Sequence, residues 1–214
     1  MKSFIFDLDG TLIHSALDIQ AAANKMLADV NLAPLDLATI ESFIGNGIPK
    51  LVERCLAVYD LPLDDAAVEA MRKYYDADPA TLTTPYPGVV DCLKTLRAKG
   101  AKLAVCTNKP LAPALVILEG LGLGGYFDVV VGGDTYAHNK PNPEPLLGCV
   151  SQMGVDIENC VYVGDSETDA LTAANTKMTF ALFSGGYRNT STDKMAHDFL
   201  FDHFDDFTKF TMKS

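Results

Sequence analysis

A chain of 214 residues, 48% of them hydrophobic, can bury one large core or two modest ones and is too apolar to be disordered. Its formal net charge of −11 repels polyanions, and no lysine or arginine cluster offsets it, which excludes nucleic acid and anionic membrane as expected partners. The five cysteines, Cys55, Cys92, Cys106, Cys149 and Cys160, are odd in number and lack C-x-x-C spacing, so neither a disulfide framework nor a zinc site is expected.

The N-terminus runs from Met1-Lys2 directly into a short apolar stretch, without the pattern of a signal sequence. No run of eighteen apolar residues follows anywhere, so a soluble, cytoplasmic protein is expected. Ser3-Phe4-Ile5-Phe6 reads as a buried strand, punctuated by a turn at Asp9-Gly10. Asp7 and Asp9 are two apart, and an extended backbone sends both carboxylates to the same side. Ligands of open α/β sheets bind just beyond the carboxyl ends of strands, which makes this pair candidate chemistry and more than a surface turn.

After Leu12 the pattern becomes helical. Ser15 with Asp18 forms a capping-box-like start, and Ile19, Ala23, Met26, Leu27 and Val30 recur on one face. A second helix is predicted over Gly47 to Tyr59, with Pro49 in its first turn, and a third over Asp64 to Ala77. This all-helical block predicts a separate lobe, residues 15–82, inserted into a body made of residues 1–14 and 83–214. The Thr-, Pro- and Gly-rich connector from Thr81 to Gly88 marks its far boundary.

From there helices and strands alternate. Helices are predicted over Val89 to Lys99, Leu111 to Leu121, Glu144 to Met153 and Thr168 to Ala174. Strands are predicted over Ala101 to Cys106, Phe127 to Val131, Cys160 to Val163 and Met178 to Phe183. The tail offers a short strand at Asp198 to Phe201 and a helix near Phe204 to Phe210. Such alternation means an α/β fold with a parallel sheet covered on both faces.

In a parallel sheet the polar residues just after each strand share one rim. Thr107-Asn108-Lys109 follows the second predicted core strand. Further on, Lys140-Pro141-Asn142-Pro143 precedes a helix, with Asn142 as expected N-cap, and Lys140 stands where an anion would sit. Gly164-Asp165-Ser166-Glu167-Thr168-Asp169 follows the next strand. Ser166 and Asp169 can form a plain capping box, which leaves Asp165 unexplained.

The order Asp-x-Asp, Thr, Lys-Pro and Gly-Asp-x-x-x-Asp resembles the four motifs of the haloacid dehalogenase superfamily. The resemblance implies a Rossmann-like core with an inserted helical cap. The residue types suit phosphoryl transfer in their own right: Asp7 as covalent nucleophile and Asp9 as general acid and then base. Thr107 and Asn108 would hydrogen-bond the phosphoryl oxygens, and Lys140 would neutralise them. So many carboxylates facing a phosphate dianion call for a hard divalent cation, and Mg²⁺ is expected. By resemblance its ligands are the Asp7 and Asp165 carboxylates and the Asp9 carbonyl, with Asp169 orienting the ion's water from behind.

An acid at Asp9 favours the phosphatases and phosphomutases of the superfamily over its dehalogenases. Over nearly its whole length the chain is similar to the bacterial phosphoglycolate phosphatase family, through Asp7 to Ser15, Phe43-Ile44-Gly45-Asn46-Gly47, Thr107 to Pro110, Val131 to Asp134 and Lys140 to Pro143. His14, where that family has Asp, and Asn175-Thr176, where it has Ala-Gly, depart from its pattern. The resemblance implies a small phosphorylated metabolite as substrate; a monomer or a homodimer is expected. The turn at Gly45 and Asn46, helped by Lys50 or Arg54, is expected to hold a substrate carboxylate. The alternatives are a phosphatase for a sugar phosphate or pyrophosphate, a β-phosphoglucomutase-like mutase, and a binding module without catalysis.

Overall fold

The computed structural model describes residues 2–78 and 80–213. Strand β1 (Ser3–Phe6) opens the chain, and a two-residue strand β2 (Ile13–His14) leads into helices α1 (Ala16–Asp29), α2 (Leu37–Glu41), α3 (Ile48–Ala57) and α4 (Asp65–Ala77). Strand β3 (Thr84–Pro85) returns the chain, followed by α5 (Val89–Ala98), β4 (Leu103–Cys106), α6 (Leu111–Gly120) and β5 (Val129–Val131). Then come α7 (Glu144–Met153), β6 (Cys160–Gly164), α8 (Glu167–Thr176), β7 (Thr179–Phe183), β8 (Phe199–Phe201) and α9 (Phe204–Lys213). No helix among the described residues is long and apolar enough to cross a membrane.

The main sheet is parallel, in the order β5-β4-β1-β6-β7-β8, as the alternating sequence pattern predicts. Period-two alternation divides its residues between two faces. Phe4, Phe6, Val105 and Val163 point into one interior with α5, α6 and α9, whereas Ile5, Ala104, Cys106 and Tyr162 point into the other with α7 and α8. The first interior runs without a break into the helical block, through Ile19, Met26, Leu51, Val52 and Met71. From β1 the chain builds outward to β4 and β5, then crosses back to β6 on the other side. β1 is therefore the switch point, where a crevice opens between diverging loops.

Helix α9 closes the first face. Phe207 is fully buried, with its ring 5.8 Å from Phe4, 6.3 Å from Phe6 and 4.9 Å from Phe201. Truncating such an aromatic removes apolar contact and leaves a cavity, so Phe207→Ala should cost about 3–5 kcal/mol in urea unfolding. A loss under about 1 kcal/mol would mean that α9 is not part of the cooperative core.

Three local features differ from the sequence reading. β2 and β3 pair antiparallel, Ile13 with Pro85 and His14 with Thr84, forming a short ribbon where no strand was expected. Helix α2, five residues long, is started by Asp36, whose carboxylate accepts from the Thr39 N–H at 2.8 Å. At α1, Ser15 makes no side-chain cap and Asp18 completes no capping box. Asp18 instead accepts from the Leu82 N–H at 3.0 Å and the Thr83 hydroxyl at 2.6 Å, tying the outgoing and returning chains together.

Candidate active site

Four loops meet at the carboxyl edge of the sheet. Asp7 is the first residue past β1, and its N–H donates to Val163 O at 2.8 Å, so the ladder itself fixes its position. Lys140, from the loop between β5 and α7, brings its ammonium to 2.9 Å from Asp7 Oδ1 and 2.8 Å from Asp169 Oδ1. The same ammonium donates to the Tyr162 hydroxyl, which in turn donates to Asp169 Oδ1 at 2.6 Å. Tyr162 carries this buried relay from the second face of β6. Its apolar surroundings in sequence disguise it as an ordinary core residue.

Asp165 follows β6 and accepts from the Thr11 hydroxyl and from the Tyr187 N–H, each at 2.6 Å. Space for it comes from Gly10, which has φ +86°. A Cβ there would lie 2.5 Å from Asp165 Oδ2, so the motif needs glycine for both conformation and room. The Tyr187 hydroxyl accepts from the N–H groups of Ser15 and Ala16 at 2.9 and 3.1 Å, so one residue braces both Asp165 and the start of α1.

The Asp7, Asp165 and Asp169 carboxylates are all buried, with oxygens within 4.8 Å of one another, a donor set that could hold a metal ion. Their proton affinities report the crowding. Burial pushes Asp7 up to about 7, with Lys140 opposing and Asp169 reinforcing the rise. Burial, then Asp169 and Asp7, holds Asp165 well above the usual carboxylate range. Asp169 meets the same burial, but Lys140 and the hydrogen bonds of Ser166 and Tyr162 outweigh it and hold the group below its ordinary value. Its second oxygen also accepts from the Ser166 hydroxyl at 2.6 Å and, in a true capping box of α8, from the Ser166 N–H at 3.1 Å, so Asp169 both caps a helix and pairs with Lys140.

Asp9 lies toward the helical block. The Ser15 hydroxyl donates to its Oδ1 at 2.5 Å, and the Lys109 ammonium lies 2.5 and 2.7 Å from its two oxygens. Lys109 is itself buried, which alone would lower its proton affinity, but the pairing with Asp9 holds it above its ordinary range. Its ammonium lies 4.9 Å from the centre of the Tyr75 ring on α4. The sequence reading passed over Lys109 as part of a motif string, although its place two residues after Thr107 in a strand-end loop was a usable signal.

A cavity of about 60 Å³ opens between these loops and the helical block. Asp7, Asp9, Thr107 and Lys109 form its polar end, and Ile44, Ile48, Leu51 and Met71 its apolar wall. Asn108 and Gly45 line it too, and the side-chain amide of Asn108 is engaged within the protein. It donates to Gly45 O and Lys140 O, each at 3.0 Å, and accepts from the Lys140 N–H at 2.9 Å. With those bonds made, the side chain is a strut between the α3 turn and the Lys140 loop.

The turn expected to cradle a carboxylate divides its residues, with Gly45 and Gly47 lining the cavity. Asn46 lies in a separate polar cleft with Arg54, its amide donating to Thr168 Oγ1 at 2.9 Å and its oxygen accepting from Arg54 at 2.8 Å. Arg54 is further committed to Phe43 O at 2.8 Å, and the half-exposed Lys50 pairs with Glu53. Neither cation faces the cavity. At the Lys140 loop, Asn142 Oδ1 accepts from the Glu144 N–H at 2.9 Å, while Pro143 occupies the cap position of α7 itself.

Residues 4–183 match the family model for haloacid dehalogenase-like hydrolases. The chain is 44% identical over 210 residues to a phosphoglycolate phosphatase of Cereibacter sphaeroides, covering 96% of this chain and 95% of that one. It is 40% identical over 185 residues to a phosphoglycolate phosphatase of Aquifex aeolicus, covering 86% and 85%. A crystal structure from Haemophilus somnus, described as a predicted phosphoglycolate phosphatase, superposes with a TM-score of 0.91 at 30% identity over 99% of this chain and 98% of that one. Matched across both sequence and fold, the chain belongs to the haloacid dehalogenase-like hydrolases.

Proposed function

We propose that this protein is a Mg²⁺-dependent phosphatase that hydrolyses 2-phosphoglycolate through an aspartyl-phosphate on Asp7. The observation that carries the reading is the buried array of Asp7, Lys140, Asp165 and Asp169, which meets the cavity at Asp7, in a chain similar to phosphoglycolate phosphatases. Residues 1–14 and 83–214 form the catalytic body in this reading, and residues 15–82 a cap that covers the leaving group.

Asp7 attacks phosphorus in line, and Asp9 gives a proton to the departing alkoxide. Asp9 then takes a proton from the water that cleaves the acyl phosphate, working twice per turnover. Lys140 balances charge on Asp7 and the phosphoryl oxygens, and Thr107 offers them its hydroxyl. Asn108 acts by holding Lys140 and Gly45 in place, with Gly45 shaping the cavity wall. Asn46 supports the same turn from outside.

Three buried carboxylates against one ammonium leave an excess of negative charge, and each like-charge pair at about 4 Å costs on the order of 4 kcal/mol at an effective dielectric of 20. Asp7 and Asp165, with the Asp9 carbonyl, would hold a divalent ion. Both oxygens of Asp169 are already saturated by hydrogen bonds, which suits it to orienting the site without touching the ion. When bound, the ion supplies the positive charge that lets a phosphate dianion approach this cluster.

Phosphate release measured across about twenty phosphorylated metabolites tests the substrate. The highest kcat/KM is expected for 2-phosphoglycolate; a clear preference for a hexose phosphate would sink that assignment. Excess EDTA should abolish turnover and Mg²⁺ should restore it. Stability gives an independent readout. Without metal the folded protein keeps a proton on Asp7 that the unfolded chain releases near 3.8, so stability falls as pH rises from 3.8 towards 7. Mg²⁺ should therefore raise Tm more at pH 8 than at pH 5, where it must displace protons. An equal shift at both values would remove these carboxylates as ligands.

A further inference from the structure

We propose that Lys109 and Tyr75 form the subsite that holds the carboxylate of the substrate; this deepens the phosphoglycolate reading and rests on it. Lys109 is the sole cationic side chain lining the cavity among the described residues. Its ammonium sits within hydrogen-bond distance of both oxygens of Asp9. An acid that protonates the leaving oxygen must approach it to about 3 Å. In phosphoglycolate a single methylene separates that oxygen from the carboxylate carbon. A cation bound to Asp9 therefore stands beside the carboxylate without leaving its partner, because Asp9 engages only two of its three N–H donors.

Tyr75 supplies the second, independent observation. It is 2% exposed and lines the same cavity beside the Lys109 ammonium, with which it interacts, yet its hydroxyl makes no well-formed hydrogen bond among the described residues. A buried polar group left unpaired is costly, and in a native fold it calls for a partner. Burial pushes the phenol up to about 12, so it keeps its proton and can only be satisfied as a neutral donor or acceptor near pH 7. A carboxylate placed against Lys109 would accept from both groups, one presented by the loop after β4 and the other by α4. The subsite is thus complete only when the helical block lies over the loops. The other nearby cations are committed elsewhere: Arg54 to Phe43 O and Asn46, Lys50 to Glu53.

The test compares two unreactive ligands of equal reach, 3-phosphonopropionate, which carries the carboxylate, and propylphosphonate, which ends in a methyl group. Their inhibition constants do not depend on proton donation by Asp9, so the ratio isolates the subsite. Wild-type protein should bind 3-phosphonopropionate much more tightly. Lys109→Gln should reduce that preference by about 10- to 100-fold, and Tyr75→Phe, which keeps the ring over Lys109, by about 3- to 10-fold. If both variants fold, as judged by thermal melting, and keep the wild-type ratio, the subsite is overturned while the substrate reading stands. Should Lys109→Gln fail to fold, Tyr75→Phe decides alone. A wild-type ratio near one would overturn the phosphoglycolate reading, and this inference with it.

Discussion

Asp7→Asn is expected to reduce phosphate release to background on every substrate, aryl or alkyl. No other group can take its place, because Asp7 alone combines a fixed position at the end of β1 with contact to the Lys140 ammonium at 2.9 Å. Uncatalysed phosphate-monoester hydrolysis is among the slowest reactions known, so loss of the nucleophile exposes nearly the whole rate enhancement. The fold should survive, since asparagine has the same shape and relieves one of three crowded carboxylates. Thermal melting above pH 7 without metal should show the variant at least as stable as the parent. Intact-mass spectrometry of acid-quenched turnover should find a phosphoryl adduct on the parent and none on the variant. Turnover by the variant within 100-fold of the parent would remove Asp7 from the role of nucleophile.

Asp9→Asn is expected to cost roughly 10²–10⁴ in rate on alkyl phosphates. On p-nitrophenyl phosphate the loss should be smaller in the first step, because nitrophenolate departs without a proton. Hydrolysis of the aspartyl-phosphate still needs a base, so phosphoenzyme should accumulate and a burst of nitrophenol should precede a slow steady state. The substitution also leaves the buried Lys109 ammonium without its counter-charge, a mechanism that typically costs several kcal/mol of stability. Rates must therefore be compared well below the melting temperature. An enzyme slowed equally on aryl and alkyl substrates, with no burst, would contradict acid catalysis by Asp9.

The sheet was legible because its strands are short apolar runs closed by glycine or by polar loop residues. Runs such as Leu103-Ala104-Val105-Cys106 and Cys160-Val161-Tyr162-Val163 have no competing helical period. The acidic residues at their ends were equally visible, because a parallel sheet gathers strand ends whatever the loops do. What escaped depends on partners far away in sequence. Asp18 read as a local helix cap, but its donors are Leu82 and Thr83, supplied by the returning chain. The bracing role of the Asn108 side chain was equally hidden, because its partners are Gly45 and Lys140. Lys109 and Tyr75 meet only when a loop of the sheet and a helix of the inserted block are brought face to face. The β2–β3 ribbon, two residues on each side and one of them proline, falls below any periodicity test.

That ribbon also says something about how such a protein can change over generations. His14 pairs with Thr84, so the chain between them departs from the sheet's neighbourhood and returns to it at one place. The order and register of the six parallel strands make no reference to how long that excursion is. A lineage could lengthen it, shorten it or exchange it for another without moving Asp7, Lys140 or Asp165, and so acquire a different appetite while keeping the same chemistry.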